Sequence, residues 1–333
     1  MISILLSEQA SRNLEPAIRN VLGACPYRLV TPAENEGARV DIAFISRDVT
    51  GASSKTRLVP SLLEFYEPLR ASDRLAWVHT HSAGADRPIF TELLQRGVRV
   101  STSSGANAPI VAQTALGAIL AFARRFPLLA VSQRAHAWQP LLLDAPRPLA
   151  GQSALIVGYG PIGRRLATLL NALELDVTIV RREAGAPNTV AFDDMDRALP
   201  RCDWLILACP LTDNTRKLID ARRLALLPRG THLINVARGE VVVEADVIAA
   251  LQQGTLAGAY LDVFEEEPLD TRSPLWDLPN VIVSPHSAGH SSGNAAAVER
   301  IWLDNLARWT MGEPLKNEVE APQQASPLRE RVQ

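Results

Sequence analysis

Lysine is nearly absent. Of 34 basic residues only Lys55, Lys217 and Lys316 are lysine, and the rest are arginine. Against 36 acidic residues this leaves a formal charge of −2, so a strongly basic nucleic-acid binder is not expected, although a local patch can sit inside a neutral total. Cysteine is scarce as well: Cys25, Cys202 and Cys209 are an odd, scattered set with no CxxC pair. That excludes a disulfide framework, gives no zinc pattern, and points to a reducing compartment. Long apolar runs are missing too. The longest, residues 115–123, stops at Arg124-Arg125, well short of the roughly 20 residues that span a bilayer. The start, Met1-Ile2-Ser3-Ile4-Leu5-Leu6-Ser7-Glu8, has no basic segment and meets a carboxylate at Glu8, so it reads as a first strand and not as a secretion signal. A cytoplasmic, soluble protein is the expectation.

What is present is a balanced chain of 333 residues, 47% hydrophobic and 21% charged, a folded composition with length for two domains. Short β-like runs alternate with amphipathic helical stretches, the pattern of α/β architecture with parallel sheets. Strands are predicted near residues 2–6, 28–30, 42–45, 77–80 and 98–101, with helices near 58–70 and 88–95. A long helix is predicted over 108–124, closed off by Pro127. A second series places strands near 154–157, 177–180, 204–207, 231–236, 258–262 and 281–283, then a helix over 294–309. The polar tail 320–333 is expected to fray.

The second series opens on Leu155-Ile156-Val157-Gly158-Tyr159-Gly160-Pro161-Ile162-Gly163-Arg164, a buried strand, GxGxxG and a helix start. Gly158 would make the tight turn, Gly160 would let backbone approach a pyrophosphate, and Gly163 would let helix pack on strand, with Pro161 and Ile162 opening the helix whose free N–H groups face the phosphates. Glycines gather in many strand-to-helix turns, but the flanking strand and helix here supply the context that makes this a dinucleotide site. The next strand should end in Asp or Glu to hold a ribose 2′-hydroxyl. It ends instead in Arg181-Arg182, whose guanidiniums suit a 2′-phosphate. NADP(H) is therefore the favoured cofactor, with NAD(H) possible if Glu183 takes the ribose.

Three further stretches put ionisable groups at the carboxyl ends of predicted strands, where open α/β sheets place ligands: Asn235-Val236-Ala237-Arg238-Gly239-Glu240, Asp262-Val263-Phe264-Glu265-Glu266-Glu267-Pro268, and Ser284-Pro285-His286-Ser287-Ala288-Gly289. In order and spacing these strings resemble the D-isomer-specific 2-hydroxyacid dehydrogenases, of the glyoxylate/hydroxypyruvate reductase kind. Ser82-Ala83-Gly84-Ala85-Asp86 resembles that family's substrate-carboxylate loop, Ser104-Gly105-Ala106-Asn107-Ala108-Pro109 the start of its interdomain helix, and Cys209-Pro210-Leu211-Thr212 with Thr215 its cofactor-lining loop. The resemblance runs from about residue 40 to 315.

It implies a role for each matching residue. His286 would be the general acid, with imidazole titrating near neutrality, and Glu267 its partner, favouring the imidazolium form. Glu265 and Glu266 compete for that place, and Glu267 is chosen because the family's carboxylate directly precedes the proline. Arg238 would grip the 2-oxo acid's carboxylate and polarise its carbonyl, backbone N–H groups at Ala83 and Gly84 would hold the remaining oxygen, and Val236, Ala237 and Asp262 would line the nicotinamide, Asp262 binding its carboxamide. His286 and His290 are four apart, but Pro285 and Gly289 argue against a helix, and no third ligand completes a metal set. His79 and His81 share a face of a predicted strand; a metal reading of that pair is weak, and His81 is placed to shape the substrate loop. Trp138 and Trp276 fit a substrate pocket or an interface, with ordinary packing the favoured reading. Arg47 fits either a contact to the substrate's distal group or a pair with Asp48. One departure stands out: many members have Ala-Glu in the interdomain helix where this chain has Ala112-Gln113-Thr114.

The implied architecture is two Rossmann/flavodoxin-like doubly wound α/β domains with a cleft between them, residues 1–103 plus 288–333 on the substrate side and 104–287 binding the dinucleotide. The implied protein is a homodimer joined through the cofactor domain and its long helix, reducing a small 2-oxo acid to its D-2-hydroxy acid with NADP(H). The same fold also serves phosphoglycerate-, phosphite- and formate-type dehydrogenases and dinucleotide-sensing, corepressor-like binding modules, which remain alternatives. The Glu partner of His286 counts against the formate type, where Gln is expected.

Overall fold

A computed structural model of the chain describes residues 1–320 apart from 35–38, 52, 54–57 and 143–144. All but the first residue of the tail expected to fray therefore lies outside the described residues. The chain forms two units, Met1–Ala106 with Gly293–Gln333, and Asn107–Ser292.

The first unit carries strands β1 (Ile2–Leu5), β2 (Tyr27–Val30), β3 (Ile42–Ile45), β4 (Trp77–Thr80) and β5 (Arg99–Thr102), with helices α1 (Glu8–Leu22), α2 (Arg47–Thr50), α3 (Pro60–Ala71) and α4 (Pro88–Gln95). The strands pair in the order β2-β1-β3-β4-β5, all parallel. That is the flavodoxin-like doubly wound order. β3 and β4 are buried at every position, as strands covered on both faces must be. Helix α1 shows the local logic: Ser7 caps it by accepting the Ala10 N–H at 3.0 Å, Leu14, Ile18 and Leu22 form its buried stripe, and Gly23 at φ +54° ends it. Across β1 and β3 the side chains alternate. Leu5, Ala43 and Ile45 meet Phe65 and Leu69 of α3, while Ile4, Ile42 and Phe44 meet α1 and Trp302. Trp302 stacks on Phe44 at 5.1 Å between ring centres, and it lies on the C-terminal helix Asn294–Thr310.

A buried polar network threads this sheet. His79 lies 2.7 Å from Ser101 Oγ through Nδ1 and 2.9 Å from Ser103 Oγ through Nε2, and Trp77 Nε1 donates to the same Ser101 oxygen. Both His79 nitrogens are thus engaged by hydroxyls. Burial, helped by neighbouring His81, pushes its imidazole down from 6.5 to about 3. Between those two values the unfolded chain binds the proton that the folded chain refuses. The stabilisation is therefore complete above pH 6.5 and drains away as pH falls toward 3. The denaturant midpoint is expected to fall on acidification from pH 7 to 5, with up to about 1.4 kcal/mol lost per pH unit from this site. In His79→Gln the slope should be shallower, and an unchanged slope would refute the assignment.

The second unit begins with α5 (Ala108–Ala123) and α6 (Phe126–Arg134). It continues through β6 (Ser153–Val157), α7 (Pro161–Ala172), β7 (Asp176–Arg181), β8 (Thr189–Ala191), β9 (Trp204–Leu207), α8 (Ala221–Leu224), β10 (Thr231–Asn235), α9 (Glu244–Gln252), β11 (Leu256–Leu261) and β12 (Val281–Val283). The seven strands run β12-β11-β10-β9-β6-β7-β8, all parallel. The strand order reverses beside β6, and its switch point lies between the carboxyl ends of β6 and β9. Leu155 and Val157 face one core, Ala154 and Ile156 the other, under α5 and α7. Two elements differ from the sequence expectation. Pro127 opens helix α6 in its first turn, where its missing N–H costs nothing, and the break before it is Arg125 at φ +58°. The short edge strand β8 was not anticipated. No single helix among the described residues is long and apolar enough to cross a membrane.

Candidate active site

At the switch point the glycines are required by space. Gly158 follows β6 at φ +104°, and a Cβ there would meet the Ala208 carbonyl oxygen at 2.6 Å and Cys209 Cα at 2.7 Å. A Cβ on Gly163 would collide with the Gly158 carbonyl oxygen, so α7 can reach its packing distance only with glycine. Gly160 is different: nothing lies within 4 Å of where its side chain would begin. No side chain caps α7 at Gly160, and Pro161 opens the helix, so free N–H groups and the positive helix end face an open cradle that a side chain would fill. These residues fit a dinucleotide pyrophosphate. At the end of β7, Arg181 and Arg182 are both exposed, and neither makes an ion pair among the described residues.

The loop after β9 is stitched by Thr215, buried, whose hydroxyl donates to the Pro210 carbonyl at 2.7 Å and accepts from Thr212 N–H at 2.8 Å. Cys209 lies against Gly158 with its thiol pushed up to about 12 by burial, so it is a packing residue and no nucleophile.

After β10 the turn carrying Arg238 is built by buried Asn235, which accepts the Ala237 N–H at 3.1 Å and donates to the Arg238 carbonyl at 3.2 Å. Val236 N–H continues the ladder to Leu207 at 3.2 Å. Arg238 Nη1 donates to the Ala237 carbonyl at 2.7 Å. Gly239 then packs on backbone: a Cβ there would overlap the Phe264 carbonyl group and the Glu265 nitrogen. The Arg238 turn and the segment leading to Glu267 are thereby locked together.

His286 sits at φ +52°, an uncommon conformation for a residue with a side chain. Its N–H donates to the Asp262 carbonyl at 2.8 Å and to the Ser284 carbonyl at 3.0 Å. Asp262, buried, completes the clamp: its Oδ1 accepts from Ser284 Oγ at 2.5 Å, Ser287 N–H at 2.8 Å and Ala288 N–H at 3.0 Å. Tyr260 hydroxyl lies 2.6 Å from Ser284 Oγ, and burial pushes that phenol up to about 12, so it stays protonated. From α5, Thr114 donates to the Ala288 carbonyl at 3.0 Å, while Gln113 of the Ala112-Gln113-Thr114 departure is exposed.

His286 Nδ1 lies 2.8 Å from Glu267 Oε2, with the imidazole half exposed, and Glu267 Oε1 accepts Phe264 N–H at 3.2 Å. The carboxylate fixes the ring through Nδ1 and leaves Nε2 facing outward. Of three consecutive glutamates, Glu267 is the one on the histidine. Glu265 instead exchanges hydrogen bonds with Glu244, at 3.1 and 3.2 Å through each other's backbone N–H. Sequence reasoning missed Asn235, Ser284 and Tyr260 as supports, and it saw Asp262 only as a cofactor ligand. Ala83 and Gly84 lie in the first unit on the turn after β4, where Ser82 Oγ donates to the Gly84 carbonyl at 2.7 Å.

A switch-point dinucleotide cradle and a histidine–glutamate pair, both at the carboxyl ends of strands in one parallel sheet, are the elements of a nicotinamide-dependent oxidoreductase. The NAD-binding domain model of D-isomer specific 2-hydroxyacid dehydrogenase matches residues 116–288, and the chain belongs to that family. It is 35% identical over 257 residues to a glyoxylate reductase of Thermofilum pendens, covering 74% of this chain and 75% of that protein. It is 30% identical over 262 residues to a hydroxypyruvate reductase of Thermotoga maritima, covering 77% and 82%. Among solved structures, the D-isomer specific 2-hydroxyacid dehydrogenase from Xanthobacter autotrophicus Py2, in complex with NADPH and MES, superposes with a TM-score of 0.73 at 30% identity, covering 96% of this chain and 98% of that one.

Proposed function

We propose that the protein reduces a small 2-oxo acid of the glyoxylate or hydroxypyruvate type to the D-2-hydroxy acid with NADPH. The observation that carries this is the His286 Nδ1–Glu267 contact at 2.8 Å, which aims Nε2 outward as a proton donor. His286 Nε2–H gives its proton to the carbonyl oxygen as negative charge develops there. Arg238 binds the substrate carboxylate and polarises the carbonyl, and the Ala83–Gly84 N–H groups are assigned to the same carboxylate. The bound dinucleotide supplies the hydride. Asp262 keeps the His286 turn in place, and the carboxamide role remains assigned to it.

The preference for NADPH is supported by Arg181 and Arg182, exposed at the end of β7 and without ion pairs among the described residues, and by the NADPH in the Xanthobacter relative. Initial rates at the nicotinamide absorbance band test it. NADPH should exceed NADH in kcat/KM by about tenfold or more, and Arg181→Ala and Arg182→Ala should each erode that ratio, since a charged hydrogen bond is worth about tenfold. Equal use of both coenzymes by the parent overturns the cofactor assignment, and no turnover of any 2-oxo acid overturns the reaction.

The second unit also presents Leu120, Phe126, Leu128 and Val131 as exposed apolar side chains along α5 and α6, with Trp138 just beyond. Such a strip suits a second copy of the chain. A dimeric mass by light scattering is expected, and a monomer at micromolar concentration overturns the assignment.

A further inference from the structure

The buried imidazole of the first unit has no part in the chemistry above, yet its hydrogen bonds have a direction. Trp77 Nε1–H donates to Ser101 Oγ at 2.8 Å, and that oxygen lies 2.7 Å from His79 Nδ1. On the other side His79 Nε2 lies 2.9 Å from Ser103 Oγ. Ser103 gives its own hydroxyl proton to the Thr80 carbonyl at 3.1 Å. Nε2–H is therefore the donor to Ser103 Oγ, and Nδ1 accepts from the Ser101 hydroxyl. Every proton from the indole to the Thr80 carbonyl is assigned, one donor behind another. Phe44 and Trp77, with ring centres 5.7 and 6.2 Å from the imidazole, flank it, and His79 is fully buried. Burial pushes the ring down to about 3, so it stays neutral, in this one tautomer, through the physiological pH range.

The chain of donors ends on the turn after β4. Ser103 N–H donates to the Thr80 carbonyl at 3.1 Å and to the Ser82 carbonyl at 2.9 Å, so this one serine grips both ends of the Thr80–Ser82 bend. Within the bend Ser82 N–H donates to Thr80 Oγ1 at 3.4 Å, and Ser82 Oγ gives its proton to the Gly84 carbonyl at 2.7 Å. That leaves Thr80 Oγ1 as the donor to Ser82 Oγ at 3.0 Å. The carbonyls of Thr80, Ser82 and Gly84 are thus all engaged. The N–H groups of Ala83 and Gly84 make no hydrogen bond among the described residues, and Ala83 is exposed. Those two donors are what the turn has left to offer a carboxylate. A serine hydroxyl left to itself rotates to suit its surroundings. The Ser103 hydroxyl is fixed, because its proton is held by Thr80 and its lone pair by His79.

We infer that His79 is a positioning residue for substrate binding: through Ser103 it fixes the bend whose Ala83 and Gly84 N–H groups receive the carboxylate of the 2-oxo acid. The inference rests on the 2-oxo acid reading above and adds to it a residue that acts only through another. Being fully buried, the imidazole touches neither substrate nor cofactor and exchanges no proton with either.

His79→Leu removes the donor to Ser103, and Ser103→Ala removes the hydroxyl itself. Each should raise KM for glyoxylate by about fivefold or more with kcat little changed, the mark of lost ground-state binding. Calorimetry on the NADPH-loaded enzyme reads the same loss without turnover. Affinity for oxamate, a 2-oxo acid analogue that accepts no hydride, should fall by about the same factor. NADPH affinity, read by fluorescence titration, should stay at the parental value, because the glycine cradle lies wholly in the second unit. His79→Gln, whose amide NH2 can still donate to Ser103, should keep the parental KM and oxamate affinity. Parental KM and oxamate affinity in both His79→Leu and Ser103→Ala overturn the inference and leave the reductase reading intact. It is overturned as well if NADPH affinity falls in step with that for oxamate, or if His79→Gln is as impaired as His79→Leu, since either result would make the residue one of packing alone. A parent that neither reduces a 2-oxo acid nor binds oxamate overturns the reductase reading, and this inference with it.

Discussion

His286→Ala is expected to lower turnover by about 10²–10⁴-fold while leaving NADPH affinity, read by fluorescence titration, unchanged. The separation follows from the construction of the site. The imidazole is held at its own Nδ1 by Glu267 and through its backbone by Asp262, whereas the dinucleotide cradle is made of Gly158, Gly160 and the first turn of α7. Removing the ring takes away the proton donor and leaves both the Asp262 clamp on the backbone and the cradle untouched. If affinity and turnover fell together, His286 would be a structural residue of the cofactor site and the general-acid assignment would be lost.

Gly239→Ala should have a comparable effect by a different route. The added methyl would overlap the Phe264 carbonyl and the Glu265 nitrogen, which are backbone atoms and cannot swing aside as a side-chain tip would. Overpacking of this kind costs about 1–3 kcal/mol, and more where backbone must move. The strand end carrying Arg238 and the segment carrying Glu267 would be driven apart. A misplacement of about 1 Å at a reacting centre can cost about 10² in rate. A lowered melting temperature together with turnover reduced by about 10² is the expected pair of results. Parental values for both would show that the two segments are not coupled through this glycine.

Much of this was legible in the chain because the signals are local. The strand–GxGxxG–helix unit occupies consecutive residues, and each buried strand announces itself as a short apolar run, as in Trp204–Leu207. What escaped depends on partners far apart in sequence. Asp262 is clamped by Ser284, Ser287 and Ala288, which lie on the far side of β12, so its supporting role could not be read from its neighbours. Asn235 carried a signal that went unused: an amide at the end of a buried strand needs partners, and the following turn supplies them. Strand β8 has three half-buried residues, too few to show a period. Helix α6 was hidden because Pro127 serves equally well as a stop and as a first turn, and only the left-handed Arg125 decides between them.

The placement of Trp302 has a consequence for biosynthesis. The residue that covers Phe44 in the first unit's core arrives on a helix some 250 residues later in the chain. A nascent polypeptide leaves the ribosome from its amino terminus, so the opening five-stranded sheet emerges with Ile4, Ile42 and Phe44 still lacking that cover. The second unit, written without interruption between Asn107 and Ser292, has its whole sequence available before the unit that precedes it. Order of emergence and order of completion are therefore reversed, and a chaperone acting during translation would find its apolar target on the first part of the chain to appear.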